Sequence, residues 1–143
     1  MKEDSRATSS EQMTAPPPAA QVPAGWRPGP FEHERLDAFV VARRALCDGE
    51  RVARRLPRGY ATLVDQLRRA LLAAYLGVAE AASRTGADRV ARFRCARGEA
   101  AEAAAALDAV VALGLHPAAQ VQPVVDLLAR LCAMLSRLSR PAR

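Results

Sequence analysis

Between Tyr60 and Arg84 the apolar residues Leu63, Leu67, Ala70, Leu71, Ala74, Val78 and Ala81 recur at intervals of three and four. That spacing follows the 3.6-residue period of an α-helix and sets all seven side chains along one face. A strand has a period of two and would scatter the same residues to both sides of a sheet, so the segment has to be a long helix with a packing partner. The rest of the chain supplies helices as that partner. Aromatics make up 4% of the sequence, β-branched residues are sparse and alanine is frequent, a composition that favours helix over strand. An all-α fold follows.

Three more helical segments are set off by clear punctuation. The first spans Glu32 to Leu56, with Leu36, Phe39, Val40, Leu46 and Cys47 at helical spacing, and stops at Pro57 and Gly59. Gly86 supplies the turn after the second. The third opens with Asp88 as an N-terminal acid and carries Phe93, Ala96, Ala100, Ala104, Leu107 and Val111 up to Gly114. After a loop at His116 and Pro117, the fourth repeats Val121, Val124, Val125, Leu128, Leu131, Cys132, Leu135 and Leu138, and stops before Pro141. Helices of this length run about 30–37 Å at 1.5 Å per residue, and connections this short force neighbours to be antiparallel. Residues 31–143 are therefore expected to form an antiparallel up-down four-helix bundle. Residues 1–30 hold six prolines among Ser, Thr and Gln, with little to bury, and are expected to be a disordered Pro-rich arm. Trp26 is the one residue there able to dock.

At 143 residues, 50% of them hydrophobic, the chain has the size of one domain with a real core. No run of about 18 uncharged apolar residues occurs, so no membrane span is expected. The opening MKEDSRATSS lacks the basic start and apolar stretch of an export signal. Cys47, Cys95 and Cys132 stand far apart, which supports neither a disulfide framework nor a zinc knuckle and fits a reducing, cytoplasmic setting. The arm is neutral, with Lys2, Arg6 and Arg27 against Glu3, Asp4 and Glu11. The whole net charge of +6 therefore belongs to the bundle.

The second helix has more apolar surface than one core requires. Leu72 and Leu76 lie about 140° to 180° from Leu67 at 100° per residue, and Val64 and Tyr75 fill in toward them. A helix of a four-helix bundle needs one buried stripe, so Val64, Leu72, Tyr75 and Leu76 read as an interface for self-association. In the first helix Glu50 and Arg54 stand in the favourable i, i+4 order.

Catalytic chemistry finds little footing. A carboxylate-bridged di-iron site would need Glu-x-x-His on two helices, and neither His33 nor His116 has that spacing. Cys47 and Cys132 fall on apolar stripes, where a buried structural thiol is the expected role. The glycines are isolated and form no phosphate loop. No cofactor, metal or enzymatic role is expected. What remains is basic surface: Arg68, Arg69, Arg84, Arg89, Arg92, Arg94 and Arg97 fall within about thirty residues. Arginine offers a planar fork to phosphate oxygens, so Arg68, Arg69, Arg92, Arg94 and Arg97 are candidate contacts to an RNA or DNA backbone. Without interleaved aromatics, base stacking is not indicated. The other reading is a protein-interaction scaffold whose arginines only keep it in solution.

One order of features matches a known pattern. Leu56-Pro57 closes the first helix, followed by Gln66-Leu67-Arg68-Arg69-Ala70, Gly77-Val78-Ala79-Glu80, Arg92-Phe93 with Ala96 and Gly98, and then Glu102. Over Leu36 to Leu138 this resembles the four-helix-bundle family of 23S rRNA intervening-sequence proteins, which includes the accessory variability determinant proteins of diversity-generating retroelements. The resemblance implies a basic bundle that assembles as a ring-like homopentamer. In the retroelement branch it also implies a reverse transcriptase partner and binding to template RNA or DNA. The family usually shows Asn-Ile-Ala-Glu-Gly where this chain has Gly77-Val78-Ala79-Glu80-Ala81. Both the Asn and the Gly of that pattern are lost here, so if the family turn uses that glycine the chain has to turn at Gly86 instead, and its second helix can run one turn further.

Overall fold

The computed structural model describes residues 24–141, which contain four long helices and no strand. They are α1 (Asp37–Arg54), α2 (Ala61–Ala82), α3 (Gly86–Ala112) and α4 (Ala118–Leu138), with a single 3₁₀ turn at Glu32–Arg35 ahead of α1. Each helix packs against its neighbours in sequence, and α1 closes the bundle on α4. Among the described residues the diagonal pairs, α1 with α3 and α2 with α4, keep their Cα atoms more than 8 Å apart. This is an antiparallel up-down four-helix bundle. The arm expected over residues 1–30 lies mostly outside the described residues. Its last part, residues 24–30, forms a turn followed by irregular chain in which Trp26 is 59% exposed.

The stripe on α2 is buried as its spacing requires: Leu67, Ala70, Leu71, Ala74, Val78 and Ala81 are all inside, with Leu63 half-buried at the end. On α4 the residues Val121, Val124, Leu128, Leu131 and Leu135 face the same core. By length and composition α4 could cross a membrane, yet here that apolar stripe is spent on the other helices. Pro123 lies inside α4, where it has no N–H to donate to the carbonyl four residues back. The gap falls near the exposed start of the helix.

Two helices bury a different set from the one their bulky residues suggest. On α1 the core face is Ala38, Phe39, Val41, Ala42, Ala45, Gly49, Val52 and Ala53, while Val40 and Cys47, expected inside, are exposed. The helix starts later than expected because Leu36 is extended and separates it from the 3₁₀ turn. On α3 Val110 is fully buried and Val111 faces solvent, and Ala103 is buried more deeply than Ala104. The helix begins at Gly86, before Asp88.

Small residues let helices come close. A Cβ on Gly77 of α2 would stand 3.0 Å from Ala96 Cβ on α3, and one on Gly49 of α1 would run into the Leu71 side chain of α2. α2 continues to Ala82, and the turn into α3 is made at Gly86, whose φ of 57° suits glycine. At the other end α3 closes in a Schellman motif: Leu115 N–H donates to the Val110 carbonyl (3.0 Å) and Gly114 N–H to the Val111 carbonyl (2.9 Å), with Gly114 at φ 68°.

Candidate nucleic-acid interface

The fold divides the five candidate arginines. Arg68 grips Glu50 of α1 with two hydrogen bonds, Nε at 2.8 Å and Nη2 at 3.0 Å. Glu50 also accepts from Arg54 Nε at 2.9 Å, the i, i+4 pair foreseen in α1. The Arg68 hydrogen bonds, then those of Arg54, hold the Glu50 carboxyl down to about 2. Arg69 donates to Gln66 and reaches Glu102 of α3 at 3.3 Å. Arg92 lies 3.6 Å from Glu80 and 4.0 Å from Asp88, two carboxylates that Arg84 also bridges at 2.8 and 2.7 Å. Arg68, Arg69 and Arg92 are thus committed to carboxylates across the α1–α2 and α2–α3 seams.

Arg94 and Arg97 are not. Arg97 Nη1 donates to Ser136 Oγ of α4 at 3.1 Å, and its carbonyl lies 3.8 Å from Cys132 Sγ. Arg94 is exposed and has no ion pair among the described residues. The Arg97–Ser136 contact shows which positions lie side by side in the antiparallel α3–α4 pair. Arg94, one turn earlier on α3, is thereby level with the end of α4, where Arg137 and Arg140 are also exposed and have no carboxylate partner among the described residues. Arg89 completes this end: its Nη1 donates to the Ala82 carbonyl at 2.9 Å, and its guanidinium sits 5.0 Å above the Phe93 ring. Residues 86–97 and 136–141 hold six arginines and one acid, Asp88. Arg137 and Arg140 escaped the sequence reading, although Ser136-Arg137-Leu138-Ser139-Arg140 places arginines three apart in the last turn of a helix, where cations are favoured.

The apolar surface divides as well. Leu72 is 47% and Leu76 54% exposed, and Val40 of α1 is exposed as well. Val64 and Tyr75 are half-buried against the chain's own core, with the Tyr75 ring stacked on Phe39 at 4.7 Å. Between α1 and α2 a cleft of about 470 Å³ is lined by Leu46, Cys47, Leu71 and Leu72 with charged residues at its rim. Cys47 opens onto this cleft and is not the buried thiol expected. Cys132 is partly covered, and burial pushes its thiol pKa up.

Among the described residues no group of three or more His, Cys, Asp or Glu side chains is placed to hold a metal ion. His33 packs edge-on to Phe39 at 4.5 Å, and His116 is buried in the α3–α4 loop with Nδ1 unpartnered. In comparisons with known proteins, no family model and no curated protein matches this chain.

Proposed function

We propose that this chain is a non-enzymatic, oligomeric helical bundle that binds the phosphate backbone of RNA or DNA. One observation carries the reading: among the described residues Arg94, Arg97, Arg137 and Arg140 stand together on the α3–α4 side without a carboxylate partner, while both arginines of α2 are held in ion pairs. An arginine already neutralised by a carboxylate gains little from a phosphate. One with only a hydroxyl partner or none keeps its full charge for it. Contacts of this kind grip a backbone without reading its sequence. The exposed Leu72 and Leu76 support self-association, which would repeat the basic surface on each copy. The resemblance over Leu36 to Leu138 is what extends this reading to a pentamer serving a retroelement reverse transcriptase.

Binding of the full chain to single-stranded RNA and to duplex DNA of unrelated sequences tests the proposal. Similar affinities for different sequences at low salt are expected. No binding to either by folded, oligomeric protein would favour the second reading, a protein-interaction scaffold, which the same exposed leucines support.

A further inference from the structure

The arginine-rich end of the bundle holds a cleft as well as a surface. It lies between the start of α3 and the end of α4, has a volume of about 590 Å³, and is lined by Arg89, Arg94 and Arg140 with Val90, Leu138 and Pro141 as its apolar part. Among the described residues no carboxylate lines it. The volume falls in the ~300–1,000 Å³ range of small-ligand sites, which suits one terminal unit of a strand better than a groove that tracks a backbone.

We propose that this cleft binds a phosphate monoester at the end of a nucleic-acid strand, held by Arg89, Arg94 and Arg140 with the terminal sugar and base against Val90 and Leu138. The inference rests on the backbone-binding reading and deepens it. Three arginines with no ion pair among the described residues match a terminal phosphate, which carries roughly −1.5 to −2 charges and three free oxygens at neutral pH. An internal diester carries one charge and two free oxygens, and leaves one of the three arginines without an anionic partner. Arg89 is held in place by its hydrogen bond to Ala82 and its seat over Phe93, so part of the site is arranged before any ligand arrives. Arg94 and Arg140 have no ion pair among the described residues to break.

The test is fluorescence anisotropy with the full chain and one single-stranded RNA sequence prepared with a 5′-phosphate, a 3′-phosphate or hydroxyls at both ends, with adenosine monophosphate as competitor. A phosphorylated end is expected to bind roughly ten- to a hundredfold more tightly than the hydroxyl form, the span of one or two charge-assisted hydrogen bonds. Adenosine monophosphate should cancel that advantage, and Arg94→Gln and Arg140→Gln, each checked for unchanged helix content, should each shrink it severalfold. Equal, salt-sensitive binding of all three RNAs would overturn the terminal-phosphate site and leave the backbone reading standing. No binding of any of them would overturn both. A preference that survives both substitutions would place the phosphate elsewhere and overturn this site.

Discussion

Glu50 of α1 accepts from Arg54 on its own helix and from both forks of Arg68 on α2, so one carboxylate ties two helices through three hydrogen bonds. Its carboxyl is held down to about 2, below its unfolded value near 4.5. A depressed carboxyl adds stability above the unfolded pKa and loses it as pH falls toward the folded one. The contribution of Glu50 should therefore be complete at neutral pH and fade between about pH 4.5 and 2. The pair is partly exposed and screened, so Glu50→Gln should cost only about 0.5–1.5 kcal/mol at pH 7. Thermal melts at pH 7 and pH 3 check this, with a smaller difference between wild type and variant in acid. A second residue-scale consequence concerns Gly77. Its Cβ position is 3.0 Å from Ala96 Cβ and 3.4 Å from Ala96 Cα, which is backbone and has little room to move. Gly77→Val should push α2 from α3 and destabilise by about 1–3 kcal/mol, several degrees in Tm, despite the gain in helix propensity.

At the scale of the elements, the four helices and their turns were legible because a continuous stripe marks the core face of α2 and α4, through Leu67, Leu71 and Val78 on one and Val121, Leu128 and Leu135 on the other. On α1 and α3 the signal was misleading for a physical reason. Where helices approach closely, the buried positions select for small size, so Ala38, Ala42, Ala45 and Gly49 go inside while bulkier Val40 and Cys47 stay out. The second half of α3 is mostly alanine, and with few bulky residues to fix the phase a one-residue error turns the face by about 100°, the distance between Val110 and Val111. The candidate site was legible in part. That arginines crowd the α2–α3 region can be counted from the sequence. Which of them are neutralised depends on contacts such as Arg68–Glu50 and Arg69–Glu102, formed by residues 18 and 33 positions apart. The second apolar face of α2 also belongs to this scale. Changing Leu72 and Leu76 together to Glu should leave the core stripe through Leu67 intact and give a smaller species of unchanged helicity. Light scattering with circular dichroism checks it. A wild-type chain that is already monomeric at tens of micromolar would remove the case for an oligomer.

Across the whole molecule, charge is sorted by seam. The α1–α2 and α2–α3 seams carry ion pairs that hold helices together, and the α3–α4 side presents guanidiniums to solvent. The arginines that fasten the α1–α2 and α2–α3 seams are therefore not the ones proposed to meet a phosphate. Should about four to six phosphates be neutralised per site, log K against log salt should fall with a slope of about −3 to −5. The most direct measurement is that slope, taken by fluorescence anisotropy of a labelled single-stranded RNA across about 50 to 300 mM salt for three proteins: wild type, Arg94→Glu with Arg97→Glu, and Arg68→Gln with Arg69→Gln. The α3 reversal should weaken binding and flatten the slope by about two, whereas the α2 changes should leave the slope close to wild type. A slope that responds to the α2 pair and ignores the α3 pair, or folded wild-type protein that does not bind at the lowest salt, would contradict a phosphate-binding surface between α3 and α4.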